Sequence, residues 1–171
     1  MGSPIQTLID DYRDLNQFLM DKGHISESVI VTEHYRKILL LSCASYYEAR
    51  IVEIIKNFVE VQTSDDRLSA FVSNKAINRQ YHTYFDWNQT NNINSFLGLF
   101  GSDFKEKITN EIKVDKILQE QIKAFLTIGS ERNKMVHNNF LECKLEKTFD
   151  EIVCLQEKAN LFIEYLEKTL V

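Results

Sequence analysis

The sequence has little proline and little glycine, with one proline and five glycines in 171 residues. All-β folds need many tight turns, which these two residue types commonly form, so their scarcity favours long helices. A chain of this length is sufficient for one domain with a hydrophobic core and short for two. We therefore expect residues 1–171 to form a single all-α domain.

Long apolar runs are also missing. The longest apolar cluster, Ile38 to Leu41, has four residues, whereas a membrane-spanning helix needs about 20. The start of the sequence shows no apolar segment typical of a signal peptide. The three cysteines are odd in number and include no C-x-x-C. These features predict a reduced, cytoplasmic protein without membrane association.

Clusters of metal ligands are absent from the sequence. His24, His34, His82 and His137 are dispersed, and none is paired with another His or a Cys at ligand spacing. We expect neither a metal nor a cofactor. The net charge of −5 argues against strong non-specific binding of nucleic acid, although a cleft can still focus a local positive field.

Apolar periodicity predicts a helical bundle of four to five main helices with short additional helices. The main helices are expected at about 4–21, 28–60, 102–112, 115–138 and 149–170, with a short apolar helix at 93–100. Three signals mark helix ends. Gly23 suits a left-handed C-terminal residue, Asp115 suits an N-cap, and Thr148 with Glu151 fits a capping box.

Residues 61–90 lose this periodicity, and short helices joined by loops are expected there. Aromatic and basic side chains alternate in this segment: Lys75, Arg79, Tyr81, His82, Tyr84 and Trp87. One interpretation is a stacking platform for single-stranded RNA, in which Arg79 and Tyr81 contact the RNA. The other is the packing of a chain excursion onto the main bundle. The sequence leaves both interpretations open.

An acid interrupts the apolar face of the second long helix. That predicted face comprises Ile38, Leu41, Ala44, Ser45, Glu48, Ile51, Val52, Ile55 and Val59. Burial of an unpaired carboxylate is costly, so Glu48 should have a partner or lie at a cleft. Alternatively, the face is broad and Glu48 lies at its edge, with the carboxylate in water.

The helix predicted at 115–138 ends in polar side chains that packing does not explain. Arg132 offers a fork of donors suited to phosphate oxygens, His137 can give or take a proton near neutral pH, and Asn133 can orient either one. This set suffices for RNA cleavage in which the 2′-hydroxyl attacks its own phosphodiester and Arg132 stabilises the charge. Alternatively, Arg132 and His137 only oppose the helix dipole.

The spacing of these residues presents a geometric difficulty. Arg132 and His137 are five positions apart, which is about 140° around a straight helix and ~7.5 Å along it. They converge on one substrate only through the length of the Arg132 side chain, a local helix distortion or a second subunit.

Several segments together resemble the HEPN superfamily, and in particular its RiboL-PSP-like branch. Residues 132–137, RNKMVH, fit the Arg-x4-His pattern with Asn after Arg. Residues 41–48, LSCASYYE, resemble the second-helix segment of that branch, and residues 94–104, NSFLGLFGSDF, resemble its LFG segment. Residues 124–129, AFLTIG, lead into the motif as they do there. The likeness spans roughly 38–140 and agrees in order.

The resemblance implies a helical bundle that usually forms a homodimer with its motif helices close to the two-fold axis. It implies metal-independent endoribonuclease activity in many members, often as toxins with an antitoxin or as anti-phage effectors, whereas other members are non-catalytic or bind nucleotides. By position, Arg132 would contact the scissile phosphate, His137 would transfer a proton and Asn133 would orient the motif. Glu48 falls where the family often has a polar residue facing the site, and Lys134 is a further candidate RNA contact.

One position departs from a regulated form of the family. Where that form carries a tyrosine that is nucleotidylated, two residues after the motif His, this sequence has Asn139, followed by Phe140. Regulation by that route is therefore not expected.

Overall fold

The computed structural model describes residues 4–138, 140 and 142–170, and within them the chain forms helices and no strand. Eight α-helices follow one another: α1 (Pro4–Asp21), α2 (Ile25–Gln62), α3 (Asp66–Val72), α4 (Tyr81–Tyr84), α5 (Asn94–Gly98), α6 (Ser102–Val114), α7 (Lys116–His137) and α8 (Phe149–Leu170). A π-helical turn, Ser73–Ile77, follows α3. The prediction of an all-α bundle is confirmed, with five long helices and three short ones.

The core forms where α2, α7 and α8 pack against one another, while α1 packs on α2 and α6 packs on α5 and α7. Tyr47 on α2 joins these helices. Its buried hydroxyl donates to the backbone oxygen of Gln156 (2.9 Å) and to Oδ1 of Asn160 (3.1 Å), both on α8. Its ring lies 5.9 Å from that of Phe125 on α7. A buried hydroxyl with partners avoids a desolvation penalty, so Tyr47 helps to fix α8 against α2, while its ring packs near α7.

The predicted helix ends are present. Gly23 has a positive φ of 74° at the end of α1. Oδ1 of Asp115 accepts hydrogen bonds from the backbone N–H groups of Ile117 (2.9 Å) and Leu118 (3.0 Å) at the start of α7. Thr148 and Glu151 form the reciprocal capping box before α8. These caps satisfy amides that the first helical turn leaves unpaired, and they set the ends of the two C-terminal helices.

The predicted buried face of α2 is only partly correct, because Ala44, Ile51 and Ile55 of that face are buried while other members are exposed. Ile38 is 43% exposed and Ser45 is exposed, whereas the buried residues of the helix are Ser28, Leu39, Leu40, Cys43, Ala44, Tyr47, Ile51, Ile54 and Ile55. The run Ile38 to Leu41 has apolar side chains on every side of the helix, so periodicity alone does not fix which side is buried. With the observed orientation, Glu48 is exposed at the edge of the buried face.

The structure also describes the state of the cysteines and the apolar character of the helices. Cys43, Cys143 and Cys154 are free thiols, and burial raises the pKa of Cys43 to about 12, which suppresses the reactive thiolate. Among the described residues, no helix has both the length and the apolar character needed to cross a bilayer.

The 61–90 segment folds as short helical pieces packed on the bundle. Phe85 is buried and stacks on Phe96, with ring centroids 4.8 Å apart, and it meets Phe125 of α7 edge to face at 5.0 Å. Tyr84 is also buried, and its hydroxyl donates to the backbone oxygen of Ala76 at 2.7 Å. Packing therefore accounts for Tyr84 and Phe85, while Tyr81 and other residues of the segment reach a cleft.

Candidate active site

A cleft of about 510 Å³ opens between α2, the segment 79–87 and the C-terminal half of α7. Its volume lies in the range that holds small-molecule ligands. The lining residues are Ala44, Glu48, Arg79, Tyr81, His82, Trp87, Gly129, Arg132, Asn133 and His137. Six of the seven site residues predicted from the sequence therefore come together: Arg132, His137, Asn133, Glu48, Arg79 and Tyr81.

The α7 side of the cleft carries the Arg-x4-His residues. Residues 116–137 form an uninterrupted α-helix, so no local distortion brings Arg132 and His137 together. Arg132 is half-buried, and its Nη1 donates to Oδ1 of Asn133 at 3.0 Å, while His137 is exposed in the last turn. Both side chains nevertheless line the same cleft of one chain. This arrangement agrees with convergence through the reach of the Arg132 side chain.

The α2 side of the cleft supplies Glu48. Burial raises the pKa of Tyr81, the negative charge of Glu48 raises this pKa further, and Arg132 acts in the opposite direction. All three side chains line the same cleft. A tyrosine is ordinarily protonated near neutral pH, and the raised pKa of Tyr81 reinforces this state, so its hydroxyl can donate a hydrogen bond to an anion.

The third side of the cleft is the segment 79–87, and Arg79 has an unusual backbone there. Its φ of 62° is the one positive φ of a non-glycine residue in the described part of the chain. A left-handed conformation costs an L-residue about 1–3 kcal/mol and often occurs at functional sites. Arg79 lies between the π-helical turn and α4, where the chain changes direction, and its exposed side chain lines the cleft.

Trp87 fixes this segment against α7. Its Nε1 donates to the backbone oxygen of His82 at 3.0 Å, and its ring lies 5.5 Å from that of Tyr81. The indole lies directly over Gly129, where an added Cβ would be 2.0 Å from Cζ3 of Trp87. Glycine at this position of α7 therefore creates the space that the indole fills.

Lys134 is the predicted site residue that does not join the cleft. Its Nζ forms an ion pair with Glu131 at 2.8 Å on the surface of α7, and the hydrogen bond to Glu131 raises the pKa of Lys134. Asn139 lies outside the described residues. The carbonyl oxygen of Phe140 accepts a hydrogen bond from Nζ of Lys37 at 3.1 Å, which ties the chain just beyond the motif to α2.

His82 and Trp87 were expected in the candidate stacking segment but not beside the Arg-x4-His motif, and Gly129 was not expected to shape the site. Gly129 lies inside a predicted helix, and a glycine at such a position commonly has a packing reason. This position was the feature of the sequence that could have pointed to Gly129. His82 and Trp87 lie 50 and 45 residues before Arg132 in the sequence, and no local pattern connects them to α7.

The charges of the cleft suit a phosphate group. Arg79 and Arg132 supply two positive charges against the single carboxylate of Glu48, in a chain whose net charge is −5. Guanidinium groups bind phosphate oxygens through paired donors. Within residues 4–138, 140 and 142–170 no group of three or more His, Cys, Asp or Glu side chains is placed to hold a metal ion.

An all-α bundle is the architecture of HEPN domains, a class that comprises nucleases and nucleotide-binding modules. The sequence model of the family described as RiboL-PSP-HEPN matches residues 6–171. The chain therefore belongs to the RiboL-PSP-HEPN family. No curated protein and no solved structure shows significant similarity to it.

Proposed function

We propose that this chain is a metal-independent endoribonuclease that acts as a toxin or an anti-phage defence effector. One observation carries the proposal: Arg132, Asn133 and His137 line a single cleft together with Glu48. HEPN domains often bind RNA and dimerise, and the local excess of positive charge fits a phosphodiester. A neutralising antitoxin or another partner protein is part of the proposal.

The proposed reaction needs an oxyanion stabiliser and two proton transfers. The RNA 2′-oxygen forms a bond to the adjacent phosphorus while the bond from phosphorus to the 5′-oxygen breaks, giving a 2′,3′-cyclic phosphate and a 5′-hydroxyl. The 2′-hydroxyl loses a proton to a base, and the leaving 5′-oxygen gains one from an acid. Arg132 opposes the charge that develops on the phosphoryl oxygens, Asn133 holds Arg132, and His137 carries out one of the transfers.

The remaining residues of the cleft would bind the nucleic acid. Arg79 and the Tyr81 hydroxyl provide donors for phosphate, and the half-buried ring of Trp87 provides a surface for a base. Stacking of a base on an aromatic side chain contributes about 1–3 kcal/mol and tolerates different sequences. Glu48 counters the positive charge of the two arginines and can accept a hydrogen bond from a ribose hydroxyl.

The purified chain should cut a diverse RNA pool in the presence of EDTA and leave 2′,3′-cyclic phosphate ends. Such ends resist ligation until a phosphatase that opens cyclic phosphates has acted, so sequencing libraries prepared with and without this step identify them. The same pool made as 2′-O-methyl RNA is the matched control, because it lacks the attacking hydroxyl. If the folded protein leaves the RNA intact, or if it cuts the methylated pool equally well, the proposed reaction is wrong.

The alternative is a non-catalytic module that binds a nucleotide or a partner protein. The observation in its favour is that a cleft of about 510 Å³ combines guanidinium groups with the aromatic rings of Tyr81 and Trp87, the groups that a nucleotide requires. Calorimetry that detects binding of a nucleotide, together with intact RNA after long incubation, would favour this function.

We also propose a homodimer with the motif helices at the interface. Val136 supports this proposal, because it lies in the motif itself and exposes 54% of its surface. Size-exclusion chromatography with light scattering should give twice the chain mass of 20.1 kDa, and Val136→Glu should shift the mass towards that of one chain. A wild-type mass of one chain at micromolar concentration would contradict the dimer.

A further inference from the structure

We propose that His82 is the second proton-transfer residue of the cleft. This inference rests on the proposed ribonuclease function and adds a catalytic group from outside the Arg-x4-His motif. The proposed reaction needs one group that accepts a proton and one that donates a proton. Within the cleft of one chain the motif supplies a single imidazole, His137, and an arginine stays protonated throughout, so a second transfer by that cleft requires another residue.

The structure places His82 where such a group is needed. His82 and His137 line the same cleft from different sides, one from α4 in the segment 79–87 and the other from the last turn of α7. Both side chains are exposed to the solvent of the cleft. The neighbouring residue Tyr81 lines the cleft together with Arg132, so the start of α4 and the proposed phosphate site belong to the same cleft. A phosphodiester held by Arg132 would therefore lie between groups contributed by two separate elements.

The backbone of His82 is held in position independently of its imidazole. Nε1 of Trp87 donates to the His82 backbone oxygen at 3.0 Å, and the indole is seated over Gly129 of α7. A catalytic group must be held to within a fraction of an ångström by its supporting contacts. The same arrangement makes His82→Ala a clean test, because the variant keeps the hydrogen bond and the packing of Trp87.

Glu48 is the competing candidate for the second transfer, since it also lines the cleft. Its carboxylate lines the same cleft as Arg132, so an electrostatic role in balancing the arginine is available to it. An imidazole serves equally well as an acid or a base near neutral pH. We therefore assign the second transfer to His82 and the charge balance to Glu48.

Two substrates of matched chemistry test the assignment. The first is a set of ribodinucleotides, in which the leaving group is a 5′-alkoxide that requires protonation. The second is the set of nucleoside 3′-(p-nitrophenyl phosphates), whose leaving group departs without an acid. His82→Ala and His137→Ala should each cleave the dinucleotides at least about 100-fold more slowly than wild type. One of the two variants should cleave the nitrophenyl esters at a rate within about tenfold of the wild-type rate. That result identifies the histidine replaced in this variant as the general acid.

Binding and stability separate proton transfer from a structural role. His82→Ala should bind a 2′-deoxy dinucleotide, which lacks the attacking hydroxyl, as tightly as wild type and should melt at the same temperature. His34→Ala is the matched control, because His34 is an exposed histidine on α2 and is not among the lining residues of the cleft. Its cleavage rates should equal those of wild type.

Each contrary result has a defined meaning. If wild type cleaves neither these substrates nor the diverse RNA pool, the proposed ribonuclease function fails and the role of His82 fails with it. If wild type cleaves and His82→Ala stays within about threefold of it while Glu48→Gln is slow, the second transfer belongs to Glu48. If His82→Ala binds the 2′-deoxy dinucleotide more weakly or is less stable than wild type, the assignment is overturned while the ribonuclease function stands. The same holds if neither histidine variant retains cleavage of the nitrophenyl esters.

Discussion

Replacing His137 with alanine should lower the rate of RNA cleavage by about 100- to 10,000-fold, the range for loss of a general acid or base. Arg132→Ala should cause a loss of at least about 100-fold, because an oxyanion stabiliser in a cleft contributes on that scale. The rates are measured under single-turnover conditions with excess enzyme. The double variant should be little slower than the worse single variant, because residues that act together on one transition state are not additive.

The matched controls for these variants are Arg67→Ala and His34→Ala, which change the same residue types at exposed positions outside the cleft. Both should cleave at the wild-type rate. A cellular readout runs in parallel: induced expression of the wild type should arrest growth, and His137→Ala should relieve the arrest. Equal cleavage by wild type and by the two cleft variants would remove the catalytic role of the Arg-x4-His motif.

Replacing Gly129 with alanine should destabilise the protein by about 1–3 kcal/mol, which is the usual cost of forcing extra atoms into a packed site. The expected sign is unusual, because glycine inside a helix is normally about 1 kcal/mol worse than alanine. Here the added Cβ would be 2.0 Å from Cζ3 and 2.4 Å from Cε3 of Trp87. The rigid indole must move, and with it the segment that carries Arg79 and His82. The free energy of unfolding from urea titration measures the effect.

Gly98→Ala is the control for this substitution. Gly98 ends the short helix α5, and a Cβ added there meets nothing within 4 Å. We expect its stability to equal or slightly exceed that of wild type, because alanine restricts the unfolded chain. Cleavage by Gly129→Ala should fall as well, since the 79–87 side of the cleft is displaced. A Gly129→Ala variant as stable and as active as Gly98→Ala would show that Trp87 does not depend on this space.

The helices were predictable because their signals are local. Apolar spacing of three and four residues and the caps at Asp115 and Thr148 depend on neighbours in the chain, so α7 and α8 were located to within one or two residues. The buried face of α2 was not predictable to the same degree. The run Ile38 to Leu41 is apolar on all sides of the helix, and the choice among those sides is made by α1, α7 and α8.

The residues of the candidate site also differ in how far the sequence alone predicts them. Arg132, Asn133 and His137 lie within six residues of one helix, so their chemistry could be predicted from the sequence. Glu48 was identified in the sequence as an acid among apolar residues. In the structure it lies at the edge of the buried face, which accounts for its position in the apolar pattern. His82 and Trp87 reach the cleft through tertiary packing over Gly129, which no periodic pattern encodes. The single domain, the dimer and the roles of the site residues stay predictions.

Trp87 has one further consequence, because it is the sole tryptophan of the sequence. Its indole forms part of the cleft, so the tryptophan fluorescence of the protein, excited selectively at the red edge of the absorption band, originates at the proposed site. Binding of a nucleotide or an RNA there changes the surroundings of the emitting ring directly, and a ligand elsewhere on the bundle does not contact it. The natural protein thus contains a label-free optical probe of its own cleft, and affinities can be measured by titration without introducing a dye or a substitution.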